Sequence, residues 1–121
     1  KDRILFSVSQ TDDPAARQWL LGIARNQAEP VEVRKKALFW YGQKEGTAAE
    51  LVGLYDQVSD VEMKEQLIFV YAQSDEKAAT DKLIDIVRRE SNPDLRKKAL
   101  FWLGQSDDPR VIDVLQSVIE Q

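Results

Sequence analysis

The sequence predicts an all-α fold, an α-α superhelix (solenoid) of about eight antiparallel helices with a repeat period of about 30–33 residues. Three observations predict it. The first is internal repetition. Val33–Gln43 reads VRKKALFWYGQ and Leu95–Gln105 reads LRKKALFWLGQ, nine of eleven positions identical at a separation of 62 residues. Midway lies MKEQLIFVYAQ, Met63–Gln73, and KDRILFSVSQ, Lys1–Gln10, is a weaker fourth copy. The second is a set of intervening segments in which Leu20, Leu51, Leu83 and Leu115 recur at spacings of 31, 32 and 32 residues. Around each, apolar residues fall at i, i+4, i+7 and i+8, one face of a helix. The third is that no stretch shows the alternation of a strand.

In chain order the helices are expected over about residues 2–10, 14–26, 30–43, 47–58, 60–73, 76–90, 93–105 and 109–120. Asp12-Asp13-Pro14 and Asp107-Asp108-Pro109 each offer an Asp N-cap with Pro at the first helical position, where its missing N–H costs nothing. Thr47…Glu50 and Ser59…Glu62 have capping-box spacing. Asn92-Pro93 is another cap, and Glu29-Pro30 a poorly capped one. Connections this short make neighbouring helices antiparallel. We call the helices of the Leu20 type A and those of the LFW type B. The 121 residues then form one domain: a B helix at 2–10, repeats at 14–43, 47–73 and 76–105, and an A helix at 109–120. Each hairpin's apolar face is too large to hide within itself and must stack on its neighbours.

Composition excludes whole classes of function. There is no Cys and no His, which removes disulfides, thiol catalysis, Cys/His zinc sites and histidine acid–base chemistry. Net charge is −4, against a dedicated nucleic-acid binder. No run of about 18 apolar residues is present to span a membrane. No glycine-rich phosphate loop occurs. The pairs Asp12/Asp13, Asp75/Glu76 and Asp107/Asp108 recur at the same place in three repeats, which marks helix starts and not a general acid and base. The chain is read as no enzyme, with no metal and no cofactor.

The order "A helix, Asp/Asn-Pro, V-R-x-x-A-x-x-x-L-G" resembles short HEAT-like repeats of the phycobilisome-lyase type, common in bacterial proteins. Val33, Arg34, Ala37, Tyr41 and Gly42 match it, as do Leu95, Arg96, Ala99, Leu103 and Gly104. The central copy departs, with Lys64 for the Arg, Leu67 for the Ala and Ala72 for the Gly. The resemblance implies an armadillo-like helical scaffold whose B helices line the concave side. It also implies a structural ladder in which Arg34, Lys64 and Arg96 bond acidic or carbonyl groups of neighbouring turns. Gly42 and Gly104 are expected to permit close helix approach or a helix stop.

The B segments hold nine Lys+Arg and five Asp+Glu, a charge of +4, leaving −8 for the rest of the chain. With Val33, Ala37, Trp40 and Tyr41 toward the core, Phe39 points nearly opposite at about 100° per residue. The set recurs as Arg3/Phe6/Gln10, Lys36/Phe39/Gln43, Gln66/Phe69/Gln73 and Lys98/Phe101/Gln105. Two readings stand. In one, these residues line a groove for a protein or peptide partner of acidic character. In the other, each Phe wedges between successive B helices, with Phe69 the most structural and Phe6 the most exposed. Trp19, Trp40 and Trp102 are read as core.

The function expected is a non-catalytic protein–protein interaction or structural scaffold module, with no nucleic acid and no membrane. The alternatives are an accessory solenoid of a lyase-like or nucleic-acid-acting enzyme, and a pure spacer or artificial repeat protein. A deep pocket with unpaired acids would favour the enzyme accessory, a smooth shallow groove the scaffold. The missing initiator Met and half-repeat ends read as a segment excised from a longer bacterial protein. Terminal signals then say nothing of compartment, cytoplasmic or periplasmic. Ile4, Leu5 and Val8 lack a preceding A helix, so end-to-end self-association is expected.

Overall fold

The computed structural model describes residues 2–11, 13–44, 46–74, 76–105 and 109–120. The described residues are helical, without a strand: α1 (Asp2–Ser9), α2 (Pro14–Arg25), α3 (Val31–Gly42), α4 (Ala48–Val52), α5 (Leu54–Gln57), α6 (Val61–Gln73), α7 (Lys77–Arg89), α8 (Pro93–Leu103) and α9 (Arg110–Glu120). The B helices α1, α3, α6 and α8 touch in turn. On the other side α4 packs on α7, and α7 meets α9. The two most extensive pairings are α2 on α3 and α7 on α8, each an A helix with the B helix that follows. This is a solenoid-like stack of helical hairpins.

The helix starts show which local signals act. Asp13 accepts a hydrogen bond from the Ala16 N–H at 2.8 Å with Pro14 beside it, and Asn92 accepts from Asp94 N–H at 2.9 Å. Both follow the spacing rule for N-caps. The two expected capping boxes do not form. Asp60, not Ser59, starts α6 and accepts from Glu62 N–H at 2.9 Å. Thr47 donates backwards to the Lys44 carbonyl at 2.9 Å, and Glu50 accepts from the Tyr41 hydroxyl instead. The Ala48 N–H at the start of α4 is taken by Glu76, 28 residues on, at 3.2 Å. The cap signals at Asp12, Asp107 and Asp108 fall outside the described residues.

The expected helix at 47–58 is interrupted at Gly53. Glycine is a poor helix former. In addition the Tyr71 hydroxyl donates to the Leu51 carbonyl at 2.6 Å, an acceptor that an unbroken helix would give to residue 55.

The core runs through the whole stack as one cluster. It takes Leu20, Leu51 and Leu83 from the A helices and Ala37, Tyr41, Leu67, Tyr71, Ala99 and Leu103 from the B helices, all buried. Leu115, the fourth of the recurring leucines, packs against this cluster only partly buried. The Trp19 assignment is corrected: its side chain is 41% exposed, because it precedes the buried Leu20 by one residue and so points about 100° away. Of the three residues expected to lie uncovered on the first helix, Leu5 is buried and Val8 packs on the core, while Ile4 is exposed.

Gly42 is a close-approach glycine. A Cβ built there would lie 2.5 Å from Val70 Cγ1, so any larger residue would have to displace the Val70 side chain where α3 and α6 meet. Val70 is the residue that stands in α6 where α3 has Trp40 and α8 has Trp102. The small residue at the crossing draws these two B helices together.

Candidate functional site: the aromatic face of the B helices

The aromatic residues of the B helices form two patches and not one continuous ladder. In the first, the Phe6 ring of α1 stands edge-on to Trp40 of α3 with centroids 5.6 Å apart, and Phe39 packs on the same indole at 5.1 Å. In the second, Phe69 of α6 meets Trp102 of α8 at 5.8 Å, and Phe101 packs on that indole at 5.2 Å. Each tryptophan thus receives one Phe from the preceding B helix and one from its own. Edge-to-face geometry of this kind is favoured by the ring quadrupoles.

Phe39 and Phe69 are half-buried, whereas Phe6 is 51% and Phe101 59% exposed. Phe101, not Phe6, is therefore the most exposed. Among the described residues, α1 packs on the B helix α3 and α8 on the B helix α6. Trp40 and Trp102 are only partly buried and form the floor of the patches.

The polar members of the expected groove divide. Arg3, Gln10, Lys36, Gln43, Gln73, Lys98 and Gln105 are exposed. Gln66 is turned to packing: its side-chain amide donates to the Lys35 carbonyl at 3.3 Å and ties α6 to α3. The basic character of the face is tempered by acids of the central helix. Lys98 pairs with Glu65 at 3.0 Å, and Lys35 approaches Glu62 at 4.0 Å.

The three ladder positions do three different things. Arg34 is buried, and its Nε donates to the Ala24 carbonyl at 3.0 Å, closing the last turn of α2. Lys64 approaches Glu90 at 3.9 Å and lies 5.0 Å from the Tyr55 ring centroid. Arg96 is exposed, and its side chain joins no hydrogen bond or ion pair among the described residues. The ladder is thus not uniform.

A polar cluster on the A side was not singled out by the sequence. Lys82 is 6% exposed, with Nζ 3.2 Å from Asp56 and 3.4 Å from Asp85. Its ammonium lies 5.2 Å from the centroid of the Tyr55 ring, which Lys64 also approaches. The Tyr55 hydroxyl donates to Glu90. These groups line a cleft of about 230 Å³ in which three cations (Lys64, Lys82, Arg89) meet three carboxylates (Asp56, Asp85, Glu90). Burial, then the hydrogen bond to Glu90 and its charge, hold the Tyr55 phenol well above its usual pKa.

Burial opposes ionisation of Glu90. The Tyr55 hydroxyl, the Asn92 N–H and the Lys64 charge outweigh it and hold the carboxyl below its ordinary value of 4.5. A carboxyl whose folded pKa is lowered contributes stability at higher pH and loses it as pH falls through the folded value. Glu90→Gln should therefore remove part of the acid sensitivity below about pH 4.5, measured as urea midpoint against pH. An unchanged acid limb would show that Glu90 is not linked to folding.

No group of three or more carboxylates among the described residues is arranged to hold a metal ion. No described helix is long and apolar enough to cross a membrane. Comparison with protein-family models, with curated proteins and with solved structures returns no match.

Proposed function

We propose that the chain is a non-catalytic, HEAT-like interaction module that binds a protein or peptide across its B helices. The observation that carries this reading is the exposure of Phe6 and Phe101 at the same repeat position, each edge-on to a tryptophan. Exposed aromatic side chains that recur on one face mark interaction sites more often than solvent-facing surface. Lysines one turn before Phe39 and Phe101, and an arginine before Phe6, favour a partner with carboxylates. The shallow, charge-balanced cleft around Lys82 offers no unpaired acid or base for chemistry.

Phe101→Ala tests this directly. Truncation of a largely solvated ring should change stability by less than about 0.5 kcal/mol. Selection of random displayed peptides against the wild-type chain should enrich acidic sequences with apolar anchors. Binding of those peptides should weaken by roughly 2 kcal/mol in Phe101→Ala, as at aromatic hot spots. Enrichment that ignores Phe101 and Phe6 would move the binding surface elsewhere or remove it.

A further inference from the structure

The two aromatic patches are separated by a seam where the aromatic row stops. At the α3/α6 crossing Val70 replaces the tryptophan and nests on Gly42, and among the described residues no ring contact joins Phe39 to Phe69. The first patch spans α1 and α3, the second α6 and α8. Packed helices lie about 8–10 Å apart, so equivalent points on the patches, two B helices apart, are about 16–20 Å distant. An extended chain advances about 3.3 Å per residue, so that distance is roughly five to six residues.

Charge follows the same two-part plan. The exposed Arg3 and Lys36 lie one turn before Phe6 and Phe39 at the first patch, and the exposed Lys98 lies one turn before Phe101 at the second. On α6, Glu62 faces Lys35 across the α3/α6 seam, whereas Glu65 pairs with Lys98 across α6 and α8, beside the second patch. Cations thus accompany both aromatic patches, with Glu62 at the seam and Glu65 beside the second patch.

We propose that the B face is a two-point reader of one extended acidic segment, which seats two apolar side chains about five to six residues apart, one on each patch, each with a neighbouring carboxylate. This rests on the reading of the B face as the partner surface. It adds that neither patch suffices alone. Two weak contacts on one chain reinforce each other through effective concentration, provided that the linker spans the distance.

Fluorescence anisotropy with synthetic acidic peptides tests the proposal. The probes carry one Leu, or two Leu separated by two, five or ten Glu/Ser residues. The five-residue spacer should bind at least about tenfold more tightly than the one-anchor peptide, and the two-residue spacer should gain nothing. Phe6→Ala and Phe101→Ala, each checked by circular dichroism for retained helix, should both bring the five-residue peptide down to the one-anchor level. Equal binding of one- and two-anchor peptides, still lost in Phe101→Ala, would overturn the two-point reading while leaving the B face as the partner surface. Binding of no peptide, or binding indifferent to both Phe substitutions, would overturn both.

Discussion

Lys82→Glu should destabilise the fold by about 3–5 kcal/mol, the range seen when a buried ion pair is left with an uncompensated charge. Lys82 is 6% exposed and reaches Asp56 at 3.2 Å and Asp85 at 3.4 Å. A carboxylate in its place would face two others and would keep only Lys64 and Arg89 of the cleft's cations. Lys82→Met separates charge from packing. The methionine keeps the apolar stem against Tyr55, and Asp56, 75% exposed, returns to water at little cost. Replacement of a buried pair by an apolar side chain is often close to neutral, so the cost of Lys82→Met should stay within about 1 kcal/mol. Denaturant unfolding of the two variants reads the difference. Equal losses would mean that the missing ammonium carries the whole cost, and that a negative charge added beside Asp56 and Asp85 contributes nothing.

What was legible in the sequence was what repeats or acts locally. The leucines at 20, 51 and 83 were found by their spacing because each hairpin solves the same packing problem. Asp13 and Asn92 were found as caps because a cap acts over two or three residues. Thr47 failed as a cap because its backbone is already helical and its hydroxyl donates back to the Lys44 carbonyl, while the Ala48 N–H finds its acceptor in Glu76, 28 residues away. No local rule contains that contact. Lys82 was illegible for the same reason: it shares its register with Trp19 and Glu50, both exposed, and its burial is imposed by Asp56 and Tyr55 of another helix.

The candidate surface was half legible. Four Phe at one repeat position predicted a face but not its division into two patches. The signal for that division was present in the repeat comparison, where Val70 stands in for Trp40 and Trp102. Its meaning became clear only with the Val70 side chain against Gly42. The departure of Arg96 from the Arg34 contact was not legible either: Arg34 is buried against the end of α2, whereas Arg96, in the same local motif, stays exposed.

Tyr71 should be the most costly aromatic side chain to truncate. It is buried on α6, and its hydroxyl closes the break in the neighbouring A helix by donating to the Leu51 carbonyl at 2.6 Å. Tyr71→Phe keeps the ring and leaves the Leu51 carbonyl with the Gly53 N–H alone, a cost of about 0.5–1.5 kcal/mol. Tyr71→Ala also opens a cavity, and large aromatic truncations of this kind cost about 3–5 kcal/mol. Tyr41, one repeat earlier, gives the contrast: its hydroxyl bonds Glu50, an exposed residue whose carboxylate water can reclaim. Tyr41→Phe should therefore cost less than Tyr71→Phe although both rings are buried. Hydrogen exchange adds the location. In Tyr71→Phe, amides of α4 and α5 should lose protection before those of α2 and α3, because the broken helix loses the bond that ties it to α6. Uniform loss along the chain would show that the hydroxyl serves global stability and not the Gly53 break.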